Sequence, residues 1–188
     1  QALVESFASD KGPDLFFISP NMILKNQNYI TAIPFTSYPE KNFRDTFIDG
    51  AEIFLNKDGI LAMPIVVDPL VLYYNKDILG NSGVAKVPEY WDELFDLNTK
   101  LTIKKNDVIT QSMIGLGRFD NVTHAKDILA MLLIQSGNSI VQRNVDKYNS
   151  TLSDNLGLST SPLEASLKFF TQFSDMTYQA YSWNRTLP

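Results

Sequence analysis

The sequence predicts an α/β chain in which one extended segment serves two sheets, and three observations carry that expectation. Residues 59 to 79 hold two apolar, β-branched runs flanking Asp68-Pro69, and the second run ends in Asn75-Lys76-Asp77, whose side chains favour a turn or helix start. Proline fixes its own φ, brings no ladder N–H and keeps the preceding residue extended, so Asp68-Pro69 interrupts sheet pairing without reversing the chain. Beyond it the pattern changes to helical spacing, with Trp91, Leu94, Phe95, Leu97 and Leu101 on one face.

Taken in order, Ala2 to Phe7 is a short amphipathic stretch that reads as the end of a helix, followed by the polar turn Ser9 to Pro13. Asp14 to Ser19 reads as a buried strand broken by Pro20-Asn21. Phe35, Tyr38, Phe43, Phe47 and Phe54 are expected in a core, with Phe43, Phe47 and Phe54 on one face of a helix broken near Gly50. Asn56-Lys57-Asp58-Gly59 signals a hairpin, since Asp-Gly favours a tight primed turn, and it leads into a strand ending at Asp68. Ser112 to Leu116 reads as a short strand. Val122 to Ser136 reads as a helix with Ile128, Leu129, Leu132 and Leu133 inward and Asp120 or Asn121 at its N-cap. Residues 149 to 161 read as a polar surface loop. In Ser161-Pro162-Leu163-Glu164 the serine caps a helix, proline takes its first position and glutamate its third.

Composition narrows the function classes. Sixteen Lys and Arg against 21 Asp and Glu, a net charge of −5, give no electrostatic reason to approach nucleic acid or an anionic membrane. With no cysteine and one histidine, disulfides and thiolate chemistry are excluded and a zinc site is not expected. No cofactor is expected. There is no Gly-x-Ser-x-Gly elbow and no phosphate-cradling glycine loop. Asn121, Asn149 and Asn184 begin glycosylation sequons, short matches that mean little in a chain rich in Asn and Thr.

The stretch Gly59, Pro64, Leu72, Tyr73, Tyr74, Asn75, Lys76 and Asp77 resembles the crossover of extracellular solute-binding proteins, the receptors of ABC importers, in the large group with maltose- and multiple-sugar-binding members. Pro88-Glu89-Tyr90-Trp91-Asp92-Glu93-Leu94 resembles the family's Pro-x-Thr-Trp-Asp-Glu-Leu helix start, with Tyr90 in place of the capping threonine. The resemblance implies a two-lobed, type II periplasmic-binding-protein-like fold. On that pattern residues 1–68 belong to the first lobe, 69–73 to the hinge crossover strand and 74–188 to the second lobe, the whole being an incomplete middle portion of a receptor. Exposed apolar surface is expected of such a portion.

The same resemblance supplies site residues. Ser19 and Asn21, just past the first apolar strand, either line a ligand cleft or end a strand; the family's aromatic near Ile18 is missing. Asp68, beside the crossover, is expected to accept hydrogen bonds from ligand hydroxyls, or else only to fix its own turn. In the strand-to-helix loop 117–121, Phe119 could stack on a sugar face while Arg118 and Asp120 bond hydroxyls, or the two charges form a surface ion pair. Trp183 stands where similar receptors carry a tryptophan facing the cleft, and a packed loop position is its alternative. His124, in the first turn of a helix, is expected to be exposed and without a role. The implied function is a non-catalytic, extracytoplasmic receptor. It is expected to be a monomer that binds a small solute, a carbohydrate above all, and delivers it to a membrane permease. A glycosidase working through Asp68 and Asp120, or a sensor or adhesion module of the same fold, are the alternatives.

Overall fold

In the computed structural model, which describes residues 2–9, 11–144 and 147–188, helices and strands are mixed along the chain. Among the described residues every named strand pairs in a two-stranded antiparallel hairpin. The chain divides into two compact units, Gln1–Pro69 and Leu70–Pro188, each with a core of its own.

In the first unit, helix α1 (Ala2–Ala8) makes aromatic contact with the segments on either side of helix α2 (Pro20–Asn26). Phe7 stacks on Tyr29 and meets Phe16 edge-on, both at 5.1 Å between ring centroids. The strand expected over 14–19 does not form: Leu15 is 90% and Phe17 86% exposed. An extended segment needs a neighbour for its N–H and C=O groups, and no ladder partner faces these residues among those described.

The aromatics that follow do build the core. Helix α3 (Glu40–Thr46) buries Phe43, and Ala51 and Ile60 close around it, with Phe35, Tyr38, Phe47 and Phe54 packed outside. The helical run breaks as expected before Gly50, and a 3-10 turn carries Asp49–Phe54. Strands β1 (Leu55–Asn56) and β2 (Gly59–Ile60) then form the expected hairpin. The turn centres on Lys57-Asp58 rather than Asp58-Gly59, and neither central residue has positive φ, so it is not a primed turn. Its fastener is Asn56, whose Oδ1 accepts the N–H of both Asp58 and Gly59 at 2.9 Å. Gly59, at φ 141°, lies so close to the Ile33 carbonyl that a Cβ would collide with it. That approach lets Ile33 and Ile60 exchange backbone hydrogen bonds of 2.8 and 2.9 Å.

Of the strands expected on either side of Asp68-Pro69, only the first two residues of the first, Gly59–Ile60, enter a ladder. Residues 62–74 are unpaired, with Val66 87% and Tyr73 90% exposed, so the apolar pattern predicted extension without the hydrogen bonding that makes a sheet.

The second unit opens with helix α4 (Lys76–Asn81), where Asn75 accepts the N–H of Asp77 and Ile78, the expected helix start. Helix α5 (Glu93–Leu101) starts without a side-chain cap, and Glu93 instead ties down the approach to it by accepting the N–H of Glu89 and Tyr90 at 2.6 and 2.9 Å. These two bonds hold the Glu93 carboxyl below its usual range, Tyr90 contributing most. Strands β3 (Ile103–Lys105) and β4 (Val108–Gln111) form a hairpin that sequence reading missed. Asn106 and Asp107 both take positive φ, 49° and 62°, the signature of a type I′ turn. The strand expected at 112–116 is thereby displaced upstream to β4, and 112–116 runs on outside any ladder.

Helix α6 (Ala125–Gln135) buries Leu132 and Leu133, with Ile128 and Leu129 packed against the core. Its N-cap is His124, not Asp120 or Asn121. After strands β5 (Val141–Asn144) and β6 (Lys147–Ser150), the expected loop runs on to Ser161, whose hydroxyl accepts the Glu164 N–H and starts helix α7 (Pro162–Thr171). Phe170 and Phe173 are buried with Leu94, Leu116, Ala125 and Leu132, and Phe169 meets Trp91, Phe95 and Phe173 edge-on at 5.3–5.8 Å.

Candidate functional site

The loop before α6 is set by what lies beneath it. Gly117 takes φ 97°, and a Cβ there would fall 2.7 Å from the Ser174 backbone nitrogen. Ser174 Oγ donates to the Gly117 carbonyl at 2.8 Å, so the turn rests on the 3-10 turn Gln172–Ser174 that follows α7. From there Arg118 is half-buried and Phe119 and Asp120 are exposed, Phe119 being 64% exposed.

Asn121 anchors the other end of the loop. Its Nδ2 donates to the carbonyls of Asn184 and Leu187, both at 2.9 Å, and its Oδ1 accepts the Trp183 indole N–H at 3.1 Å. This is why Asn121 does not cap α6: its side chain is committed to the segment 183–187. Trp183 is half-buried, and its ring lies against Gly115, where a Cβ would meet it at 3.4 Å. Its N–H is therefore spent within the unit.

Arg118 and Asp120 form a bidentate pair, Nε to Oδ1 at 2.8 Å and Nη2 to Oδ2 at 2.7 Å. Arg185 adds a second guanidinium, with Nε 3.4 Å from Asp120 Oδ2. The Arg118 hydrogen bonds hold the Asp120 carboxyl down to about 2, and the same bonds raise Arg118. Of the residues picked from sequence, Arg118, Phe119, Asp120 and Trp183 are thus brought onto two adjoining segments. Arg185 was missed, and the signal available for it was only a charge next to Trp183.

In the first unit, Ser19 precedes α2 without capping it; its Oγ donates to Asn21 Oδ1 at 2.7 Å, and both residues are exposed. Asp68 is exposed and makes no hydrogen bond or ion pair among the described residues. His124 is exposed, with Nδ1 3.4 Å from Asp127 Oδ2. No group of three or more His, Asp or Glu suited to a metal ion occurs among the described residues.

Sequence reading also missed an apolar cavity of about 440 Å³ in the second unit, lined among others by Leu72, Trp91, Leu94, Ile114 and Ile128. None of the sequence-picked ligand residues lines it.

Comparison with known proteins assigns the class. Residues 1–185 match the family described as bacterial extracellular solute-binding protein, and the chain belongs to that family. It is a family of binding proteins acting outside the cytoplasm. Among relatives, proteins of Brucella abortus strain 2308 and Brucella suis biovar 1 strain 1330, each named no more specifically than a binding protein, are 30% identical over 98 residues. These matches cover 50% of this chain and 23% of each relative, so the chain spans only part of their length. No solved structure matches. No helix among the described residues is long and apolar enough to cross a membrane.

Proposed function

We propose that the chain binds a carbohydrate without altering it, as part of a two-lobed receptor that hands its ligand to the permease of an ABC importer. The lobes are residues 1–68 and 74–188, joined by the crossover at 69–73, and the first contributes Ser19, Asn21 and Asp68 to the ligand. The observation that carries the reading is the loop 118–120. It presents an exposed aromatic ring between two charged groups and is held rigidly at both ends, by Ser174 and by Asn121. An aromatic face flanked by hydrogen-bonding groups suits a pyranose, whose C–H face stacks while its hydroxyls bond. Trp183 supports this loop through Asn121 and acts as a positioning residue rather than a stacking platform.

Closure works by differential affinity: a ligand favours the closed state only to the extent that it binds that state better than the open one. The test is a thermal-shift screen of the full-length protein against sugars, oligosaccharides, peptides and polyamines. Sugars should raise the melting temperature, and Phe119→Ala and Asp68→Ala should each abolish the rise. Stabilisation by peptides or polyamines alone would overturn the ligand class, and turnover of a chromogenic glycoside would overturn the non-catalytic reading.

A further inference from the structure

The loop 118–120 and the segment 183–187 hold two guanidinium groups for one carboxylate, an imbalance that a neutral sugar does not use. Asp120 Oδ1 accepts from Arg118 Nε and Oδ2 from Arg118 Nη2, while Arg185 Nε forms an ion pair with Oδ2 at 3.4 Å. Each Asp120 oxygen thus already accepts from its own protein, and its charge faces two guanidiniums, which lessens its pull on ligand hydroxyls. The unspent groups are donors. Arg118 Nη1 and both terminal nitrogens of Arg185 have no partner among the described residues, and the Arg185 side chain is 80% exposed.

Guanidinium forks match the planar, paired oxygens of carboxylates and phosphates, and charge-assisted bonds of this kind are the stronger ones. Arg185 turns its Nε towards Asp120, which leaves its two terminal nitrogens as a fork open to a ligand. In a chain of net charge −5 these two segments, with two guanidiniums and one carboxylate, form a local cationic excess next to the exposed Phe119.

Resting on the carbohydrate reading above, we infer that the preferred solute is an acidic sugar whose oxyanion is taken by the free edges of Arg185 and Arg118 while its ring lies on Phe119. Asp120 is then a positioning residue. It fixes the Arg118 guanidinium, draws Arg185 alongside, and does not itself touch the sugar. A uronate carboxylate and a sugar phosphate present the same chemistry to this fork, and the two are separated by measurement.

The test is calorimetric titration of the full-length protein with matched sets of one hexose: the neutral sugar, its uronate and its 6-phosphate. At least one anionic member should bind ten-fold or more tighter than the neutral parent, the tighter of the two identifying the anion, and raised salt should shrink that margin. R185Q should remove most of the margin. R185K, which keeps the charge and loses the fork, should restore part of it for phosphate and less for carboxylate. Equal affinity for neutral and anionic members would overturn the inference and leave the carbohydrate reading standing. Failure of every sugar, neutral or acidic, while peptides or polyamines bind would overturn both.

Discussion

The two units solve the same problem, burying aromatic rings, by different means. In Gln1–Pro69 the core is small, Phe43, Ala51 and Ile60, and its closure depends on a backbone contact, the Ile33–Ile60 exchange over Gly59. In Leu70–Pro188 side chains from α5, α6 and α7 interlock, and Phe95, Phe169 and Phe173 form an aromatic cluster, Phe95 stacked on Phe173 and Phe169 edge-on to both. The first core is fragile at the main chain and the second at its side chains. Substitutions at the two kinds of site should therefore behave differently.

The largest effect is expected where an interlocked ring is removed. Phe170→Ala should cost about 3–5 kcal/mol, because the neighbours cannot collapse into the space. Both tryptophans, Trp91 and Trp183, lie in the second unit, so fluorescence-detected denaturant unfolding reads that loss directly. In the first unit Gly59→Ala should cost on the order of 1–3 kcal/mol, since it forces a side chain at φ 141° into the Ile33 carbonyl. Far-UV circular dichroism should register it, and a wild-type melting curve for Gly59→Ala would break the contrast. Asn121→Ala removes three hydrogen bonds and should cost about 1–3 kcal/mol with a red shift of Trp183 emission. Ser161→Ala, the loss of one cap, should cost about 1 kcal/mol.

The smallest effect is in pH. The Asp120 carboxyl lies below its ordinary 3.8, at about 2, because of Arg118. A depressed folded-state pKa stabilises above the unfolded value, so this contribution is present above about pH 4 and fades as pH falls toward 2. The pair is solvent-exposed, so the change should be slight, and Asp120→Asn should flatten the wild-type stability profile in that window alone.

What could be read from sequence follows the range of the physics. Asn75 and Ser161 were legible as helix starts because a cap bonds within three residues. Phe43, Phe47 and Phe54 were legible as core because burial needs only apolarity and spacing. The β3–β4 turn was within reach, since Asn106-Asp107 between β-branched runs tolerates positive φ; the absence of glycine hid it. Segments 14–19 and 61–74 were misjudged because an apolar run states a tendency to extend and says nothing of a pairing partner. At the site, Arg118, Phe119 and Asp120 were adjacent and visible together, while Arg185 joins them only through the fold.

Asn121 draws its side-chain partners from residues 62, 63 and 66 positions further on. During synthesis, which proceeds from the N-terminus, the turn ahead of α6 thus emerges with nothing to hold it. The hydrogen bonds of Asn121 are complete only after Leu187 has been added, so in the nascent chain α6 and α7 can pack before the loop 117–121 is set.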